Sequence, residues 1–480
     1  MKTINYILGV LAAAAALTSC VGDLNVTPID PNANTADKAL VNEVAFEQFL
    51  SGVYLGFATS GYYGANGSAS ISGLDGGASQ YIRGLYHHSE LTTDESVCGW
   101  NDQTIKNFHY GNWTTDDTFI YAFYSRIFMQ VGMANEFIRE AKASEVNFAK
   151  KQQMIDEARV LRAIAYYHAI DNFGNVPFAD ETAVVGVNPD QISRAELYAW
   201  LVDELTDLVS NSALPEKSGT EYGHANKSVA KFILAKLYLN AEVFAGSPAY
   251  DKCASVLADL MDDGYSLHTT SAGVYNAYQE LFLADNDKCT DEIIFAVEQD
   301  GVNTTSYGAT NYLVFASTGG EMDPDEMGIS SGWGGLRMTP EFYNKFTSDG
   351  GYGKELGFVD TDFPMMRYAD VLLMAAECQV RGASVSGAID GFNAVRARAG
   401  LAPIANPTLQ NILDERAREL YQECWRRNDL IRFGQFTSGY NWQWKGNVKD
   451  GKDIESYRIL FPIPDSDRLA NTKLQQNQGY

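Results

Sequence analysis

Residues 90–103 read ELTTDESVCGWNDQ and concentrate side chains that could do chemistry. The segment contains four carboxylates, at Glu90, Asp94, Glu95 and Asp102. Glycoside hydrolysis needs two carboxylates at a set separation, one of them kept protonated. Nothing here fixes such a separation, and carboxylates in a Thr-rich loop more often form caps and turns. Trp100 indicates a different chemistry, because an indole can cover the apolar face of a flat ligand. From the residues alone, burial in the core explains Trp100 equally well.

Candidate metal ligands are sparse in this sequence. His87 and His88 form its one histidine pair, and adjacent side chains rarely point at one ion. No CxxC motif occurs, so a zinc site is not predicted. Oxygen-rich strings at 285–292 and 359–362 are of the type that binds calcium, although neither has EF-hand spacing. Their candidate ligands are Asp285, Asp287, Asp360 and Asp362. The sequence predicts no organic cofactor and leaves a structural calcium ion open.

The charge balance limits which ligands the surface can attract. The formal net charge is −25, and such a surface repels nucleic acid and anionic lipid headgroups. It suits a neutral ligand or a cation. Aromatic residues make up 12% of the chain, with 27 Tyr and 7 Trp, and Tyr and Trp bind sugars and proteins through one amphipathic face. No Walker or HExxH motif occurs. We therefore predict no nucleic-acid partner and no enzymatic activity.

The N-terminus has the pattern of a bacterial lipoprotein. Lys2 precedes a short apolar run that ends in Leu17-Thr18-Ser19-Cys20, which resembles a lipobox. We predict a signal peptide over residues 1–19, lipidation of Cys20, and a tether over residues 20–40. The alternative is an ordinary cleaved signal that happens to end near a cysteine. Under the lipoprotein interpretation, the acyl chains anchor the protein to a membrane durably. The five remaining cysteines are predicted to be buried as small hydrophobes.

A helical framework positions these residues. Apolar side chains recur at steps of three and four over long stretches. The pattern predicts helices over residues 41–54, 119–140, 150–172, 193–211, 228–244, 251–262, 368–381, 387–399 and 409–432. Ser193 and Glu196 form a capping box. The strings ARVLRAIAYYHA and AKFILAKLYLNA share small residues and aromatics at comparable places, which is typical of tetratricopeptide-like hairpins.

The domain organisation follows from this pattern. We interpret residues 41–480 as a single domain, with a helical scaffold at about 41–263 and 367–436 and a loop-rich insertion at about 264–366. Long loops on a rigid scaffold are where binding residues tend to lie. Within residues 409–432, Arg and Glu recur at i,i+3 and i,i+4 spacings, which predicts an ion-paired helix with its acidic partners on the same helix.

Five segments in sequence order resemble the SusD/RagB family of outer-membrane glycan-binding lipoproteins from Bacteroidetes. They are IDEARVLRAIAYYHAIDNFGNVPF, ELFLADNDKCTDEIIFAVEQDG, RYADVLLMAAE, ILDERARELYQECWRRNDLIRFGQF and the C-terminal LFPIPDSD with NQGY. The resemblance covers essentially the whole mature chain. It implies a mainly α fold, a tetratricopeptide-like hairpin scaffold with an irregular, loop-rich ligand-binding face. It also implies a non-enzymatic lid that passes oligosaccharides to a SusC-like TonB-dependent outer-membrane barrel.

Three stretches are similar to the binding face of the starch-binding members, at residues 81–103, 300–315 and 331–338. The resemblance implies roles for Trp100 and Trp333 as arc tryptophans, Tyr307 as the arc tyrosine with Tyr312 as a nearby substitute, and Arg83 as a hydrogen-bonding arginine. Two positions depart from the pattern. Cys98 stands where a further arc tryptophan is expected, and Gln103 stands where a binding asparagine is expected. Gln103 still offers an amide donor and acceptor, whereas Cys98 shortens the arc.

The sequence thus predicts a cell-surface protein that captures oligosaccharides, with an α-glucan as the first expectation. Another neutral glycan is the alternative. A glycoside hydrolase that uses the acidic loop, or a lid without sugar affinity of its own, ranks lower.

Overall fold

The computed structural model describes residues 39–61, 63–65, 67–98, 102–316, 336–338 and 358–480. Sixteen α-helices lie in these residues: α1 (Glu43–Ala58), α2 (Tyr81–Ser89), α3 (Gln103–Tyr110), α4 (Thr118–Ala143), α5 (Lys151–Asn172), α6 (Arg194–Asn211), α7 (Lys227–Leu239), α8 (Ala241–Ala245), α9 (Tyr250–Met261), α10 (Ala277–Glu280), α11 (Ala309–Ala316), α12 (Tyr368–Val380), α13 (Ala388–Arg398), α14 (Leu409–Glu419), α15 (Arg426–Arg432) and α16 (Asp465–Ala470). None of these described helices is long and apolar enough to cross a bilayer. The predicted signal peptide, Cys20 and nearly all of the predicted tether lie outside the described residues.

Strands are few and short. Those in the described residues are β1 (Ser96–Cys98), β2 (Val176–Pro177), β3 (Gln191–Ile192), β4 (Ile293–Val297), β5 (Leu336–Met338) and β6 (Phe363–Arg367). They pair antiparallel as β1–β5, β2–β3 and β4–β6. The mainly α fold predicted from the sequence is confirmed.

Helical hairpins form the scaffold. The α4 and α5 helices pack against each other, as do α6 and α7, and α9 then packs on both α7 and α12. The α12 helix in turn packs on α13 and α14. The α5 helix is buried on nearly every face, because it lies between neighbours on several sides. The predicted tetratricopeptide-like stacking is therefore present.

Local signals place several helix ends where the sequence predicts them. Ser193 and Glu196 form the expected capping box at the start of α6. Asp117 caps α4 by accepting hydrogen bonds from the backbone N–H groups of Phe119 and Ile120, at 2.9 and 3.3 Å. Such caps satisfy amides that have no partner within the helix. The five cysteines in the described residues are buried, as predicted.

Two predicted helices are interrupted. The helix expected over 228–244 breaks at Asn240, which separates α7 from α8. The helix expected over 409–432 ends at Glu419 and restarts at Arg426. Between them, Gln422 and Cys424 have φ values of 62° and 69°, a conformation that no α-helix contains. Periodicity continues across both breaks, so the sequence pattern alone could not reveal them.

The loop-rich insertion is closed by a small sheet. The β4 and β6 strands lie near its middle and its end, and they pair through Ile293 with Arg367 and Val297 with Phe363. The segment NYLVFA is helical and belongs to α11. The insertion is therefore joined to the scaffold where β6 runs directly into α12.

Buried arginines hold the C-terminal third to the rest of the molecule. Arg367 has no exposed side-chain surface and contacts carboxylates of Glu292, Glu419 and Glu423 at 2.5, 2.9 and 2.6 Å. These partners come from the insertion, from α14 and from the break that follows it. Charges survive burial only when they are paired and hydrogen-bonded. This cluster therefore fixes the relative positions of three distant segments.

A second buried cluster centres on Asp429 in α15. Its carboxylate accepts hydrogen bonds from Arg416 at 2.8 Å and from Arg432 at 2.7 Å. Arg416 also contacts Asp370, and Arg432 also contacts Glu377, both on α12. Burial alone would raise the pKa of Asp370, but Arg416 and Lys236 hold it below its ordinary value. The prediction that the acidic partners lie along one helix is wrong in part, because most partners come from other elements.

The carboxylates at residues 90–95 are buried under the start of β1 rather than exposed in a loop. Arg426 binds Asp94 with two hydrogen bonds of 2.7 Å, and Tyr440 donates a third to the same carboxylate at 2.7 Å. Glu90 and Glu95 are 0% and 1% exposed. Burial, followed by the charge of Glu95, raises the pKa of Glu90, and burial raises the pKa of Glu95 to about 7. The turn contacts predicted for these carboxylates are made by Thr93, whose hydroxyl donates to the Glu90 carbonyl at 2.7 Å.

We expect Arg367→Met to destabilise the protein strongly. The substitution leaves three carboxylates buried without their cation, and breaking a buried pair in this way costs about 3–5 kcal/mol. The free energy of unfolding, measured by urea denaturation, tests this. Lys288→Ala removes an exposed ion pair with Asp285 and should leave the midpoint unchanged. Equal midpoints for Arg367→Met and the unaltered protein would contradict the assigned role.

We expect Glu90→Gln to change the free energy of unfolding, relative to the unaltered protein, more favourably at pH 8 than at pH 5. In the unfolded chain both glutamates ionise near pH 4.5, whereas in the fold their pKa values are raised, that of Glu95 to about 7. The folded state therefore holds more protons between these values, and stability falls as the pH rises through this window. The difference in unfolding free energy between variant and unaltered protein should shift in favour of the variant from pH 5 to pH 8. Exposed Glu47→Gln serves as the control, and an equal difference at both pH values would refute the prediction.

Candidate functional site

The two predicted arc tryptophans lie close in sequence to the paired strands β1 and β5. Cys98, the last residue of β1, lies opposite Leu336, the first residue of β5. Trp100 follows Cys98 by two positions and Trp333 precedes Leu336 by three. Both tryptophans lie outside the described residues. The roles of Trp100 and Trp333 therefore stay predictions from the resemblance.

Gln80 joins the elements that carry the other predicted site residues. It is the N-cap of α2, where its Oε1 accepts hydrogen bonds from the Arg83 N–H and the Ala309 N–H, both at 2.8 Å. Its Nε2 donates to the Phe57 carbonyl near the end of α1 at 2.6 Å. One buried side chain thus ties α2 and the start of α11 to α1. This linking role of Gln80 was not predicted from the sequence, because nothing in its local sequence distinguishes it from a surface glutamine.

Arg83 and Tyr307 come together at Gly77. A Cβ atom on Gly77 would lie 2.9 Å from Arg83 Nη1, 3.1 Å from Tyr307 Cβ and 3.3 Å from Asp75 Oδ1. Only glycine allows this approach. Tyr307 is half-buried, and its ring packs 5.5 Å from that of Phe358. Two residues far apart in sequence are therefore neighbours, as the predicted site requires.

The structure corrects the role expected for Tyr312. Its side chain is 0% exposed, so it cannot present a face to a ligand in this arrangement. The Arg83 guanidinium lies over the Tyr312 ring at 4.6 Å, and the Tyr312 hydroxyl is 3.1 Å from His87 Nε2. Tyr312 therefore supports the arginine from beneath by a cation–π contact. Cys98 is also buried, at 1% exposure, within the same core.

Arg83 is itself only 7% exposed. Its backbone is fixed by Gln80 and its guanidinium by Tyr312, so few other positions are open to it. A donor held this way loses little entropy when it binds a ligand. His87, which lies beside it, is fully buried, and burial lowers its pKa well below the ordinary value. The His87–His88 pair therefore belongs to the core.

Gln103 lies at the start of α3 and is exposed. Its Nε2 donates to Asn107 Oδ1 on the same helix at 2.9 Å. The α3 helix is held in turn by a contact of 2.8 Å between His109 Nε2 and the Gln443 carbonyl. Gln103 is thus a surface amide on an anchored helix. Its hydrogen bond joins it to Asn107 rather than to Arg83 or Tyr307.

The acidic segment does not have the arrangement that glycoside hydrolysis needs. Glu90 and Glu95 are enclosed, and Asp94 is bound by Arg426. A general acid and its partner carboxylate must instead face the substrate from opposite sides. Asp102 is exposed and precedes α3 without a side-chain cap contact. These carboxylates stabilise the segment that leads to Trp100.

The calcium candidates are used by protein groups. Asp285 pairs with Lys288 at 2.8 Å, and Asp360 accepts from the Gly301 N–H at 2.8 Å. Asp362 accepts from the Gln299 N–H and the Tyr222 hydroxyl, and burial raises its pKa to about 7. Within the part of the chain that the structure describes, no group of three or more His, Cys, Asp or Glu side chains is arranged to hold a metal ion. The calcium site stays a prediction that these contacts do not favour.

Two sequence models of one family match the chain. The "SusD family" model matches residues 351–480, and the model described as "Starch-binding associating with outer membrane" matches residues 74–239. The second match includes Arg83, Trp100 and Gln103.

Curated relatives extend the match to the full length. The "Starch-binding protein SusD" of Bacteroides thetaiotaomicron is 28% identical, over 100% of both chains. A "SusD-like protein" of Bacteroides ovatus is 24% identical over 74% of this chain and 79% of its own.

Solved structures share the fold. A surface glycan-binding protein A from Bacteroides thetaiotaomicron, solved with laminarihexaose, has a TM-score of 0.70 at 18% identity and covers 91% of this chain and 100% of its own. A SusD superfamily protein from Parabacteroides distasonis has a TM-score of 0.70 at 19% identity, covering 91% and 99%. The two family-model matches, the full-length relative and the shared fold agree with the helical scaffold described above, and they make the chain similar to the SusD/RagB family over most of its length.

Proposed function

We propose that the protein captures oligosaccharides at the cell surface and passes them to a TonB-dependent outer-membrane barrel. The observation that carries this proposal is the meeting of Arg83 and Tyr307 at Gly77. Full-length similarity to a protein named as starch-binding supports it.

The chemistry of this pair suits a sugar. A pyranose ring has apolar C–H faces and a rim of hydroxyl groups. Tyr307 offers a half-buried aromatic face, and Arg83 carries a guanidinium with several N–H donors. The resemblance implies that the indoles of Trp100 and Trp333 belong to the same apolar platform. Binding then selects a ligand by shape and needs no catalytic group.

We infer an α-glucan as the first ligand to test, because the resemblance is to starch-binding members. The burial of Cys98 in the core removes that position from any aromatic arc. A shorter arc covers fewer sugar rings, so weaker binding of starch or preference for another neutral glycan follows. An acidic glycan is disfavoured by the net charge of −25.

We expect Trp100→Ala, Trp333→Ala and Tyr307→Ala each to weaken oligosaccharide binding about tenfold or more. Each removes a stacking surface, and aromatic platforms are worth roughly 1–3 kcal/mol apiece for a stacked ring. Isothermal titration calorimetry with maltoheptaose, followed by a panel of neutral glycans, measures the change.

Tyr275→Ala is the matched control, because Tyr275 is an exposed tyrosine in a different loop and should leave the affinity unchanged. The site is wrong if a glycan binds and all three substitutions leave its affinity intact. Hydrolysis of the glycan during the titration would favour the enzymatic alternative instead.

The same proposal places the protein on the outer membrane by a lipid on Cys20. The lipobox-like sequence supports this, as does a family description that associates the matching domain with the outer membrane. The barrel partner is proposed from the family resemblance. A tether between the lipid and α1 would leave the domain free to move over the mouth of such a barrel.

We expect Cys20→Ala to abolish incorporation of labelled palmitate and to release the protein from the membrane fraction. The substitution removes the thiol to which the lipid is attached, and acyl chains supply the membrane affinity. Metabolic labelling followed by fractionation measures both effects. Cys98→Ala is the control that should keep the label. Retained label in Cys20→Ala would show that another residue carries the anchor.

A further inference from the structure

A pocket separate from the site above opens between α1 and β4. Its volume is about 290 Å³. The lining combines apolar and polar side chains, chiefly Tyr54, Leu55, Phe57, His224, Phe295 and Glu298. Asn303 and Thr304 close one end of it. Pockets for drug-sized ligands span about 300–1,000 Å³, so this one suits a single small unit.

The apolar part of the pocket is rigid. Phe57 and Phe295 are 1% and 2% exposed and belong to the main core. They come from α1 and β4, two elements that pack against each other. Ligand binding therefore does not require the Phe57 and Phe295 side chains to become ordered.

Glu298 supplies an acceptor that the protein does not use. Its carboxylate has no hydrogen-bond or ion-pair partner among the described residues, although its backbone carbonyl accepts from Gln299. The carboxylate lies against Gly223, where a Cβ atom would be 1.8 Å from Oε1. Gly223 has a φ of 79°, a conformation that favours glycine. The Glu298 carboxylate can thus occupy this position only because residue 223 is a glycine, which has no Cβ atom and adopts the positive φ of the turn.

His224 supplies an oriented ring nitrogen on the same wall. Its Nδ1 lies 2.9 Å from Glu157 Oε2, and the Tyr54 hydroxyl donates to the same oxygen at 2.7 Å. Glu157 is 2% exposed, whereas the His224 side chain is 41% exposed. The hydrogen bond to Glu157 raises the pKa of His224. With Nδ1 held by Glu157, Nε2 is the ring nitrogen left to meet a ligand.

We propose that this pocket is a second binding site, which takes one neutral sugar unit. An unused carboxylate accepts from sugar hydroxyls, the oriented Nε2 of His224 meets another hydroxyl, and the exposed Leu55 side chain covers a C–H face. Nothing in the lining offers a cation for a phosphate or a carboxylate except His224, so an anionic ligand would meet Glu298 unfavourably.

The proposal deepens the proposed function and rests on it, because both sites then bind sugars. Asn303 and Thr304 line the pocket, while Tyr307 stands in the first site only a few residues later. The segment at 300–307 therefore separates the two sites. A glycan terminus held in the pocket would stay close to the surface that binds longer chains.

Saturation-transfer difference NMR on the purified protein tests this, with D-glucose, N-acetyl-D-glucosamine and D-glucosamine as probes. A signal from either neutral sugar should persist in the Trp100→Ala/Trp333→Ala double variant, which disables only the first site. The affinity should fall at least tenfold in Glu298→Ala, since the charged acceptor of the sugar hydroxyls is removed. Ser51→Trp should abolish it by filling the pocket mouth from α1.

Val44→Trp is the matched control, because it adds the same side chain at an exposed position of the same helix. It should keep the signal. The second site is refuted if Ser51→Trp and Glu298→Ala leave the signal intact, or if none of the three probes gives a signal. Binding of glucosamine alone would also refute it, since the pocket would then select a cation. Failure of the first site would show instead as maltoheptaose affinity that is insensitive to Trp100 and Trp333.

Discussion

The pairing of buried arginines with carboxylates is the constraint on which the rest of this structure depends. Arg367 and Arg416 lie in the interior with no exposed side-chain surface. Each charge requires several carboxylates at hydrogen-bond distance, since an ion left alone in the core costs several kcal/mol. The carboxylates come from α12, from α14 and from the insertion, so the network forms only when all of these segments are in place. It therefore specifies one arrangement of the hairpins more sharply than apolar packing alone, which tolerates repacking.

The same constraint reaches the candidate site through Arg426. The interruption between α14 and α15 sets Arg426 on a new helix, where it binds Asp94 with both nitrogens. Asp94 immediately precedes the strand that ends at Cys98 and leads on to Trp100. The left-handed backbone at Gln422 and Cys424 is thus used to position a segment more than three hundred residues earlier in the chain. A continuous helix would avoid the left-handed backbone at Gln422 and Cys424, but it would not direct the Arg426 side chain towards Asp94.

Sequence reasoning succeeded where the signal is local. Periodicity located most of the helices, and the Ser193–Glu196 capping box marked the start of α6 correctly. It failed where distant contacts decide the outcome. The break at residues 420–425 depends on Glu95 and Asp94, and the burial of Tyr312 depends on Arg83 and His87. A tyrosine in a polar string has the same local pattern whether it faces solvent or core. The proximity of Arg83 and Tyr307 could be predicted only from the family resemblance. The local sequence around Gly77 does not indicate which distant residues lie next to it.

The segment at residues 300–309 connects the two proposed sites and is held at both ends. Asp360 binds the Gly301 N–H and Asp362 binds the Gln299 N–H, so the start of this segment is fixed to the end of the insertion. At its other end, Gln80 fixes Ala309. Tyr307 and Thr304 therefore stand on a strip clamped at both ends, and neither site must pay much to order it. If both sites bind sugar as proposed, a glycan long enough to reach both is retained longer than one that reaches a single site.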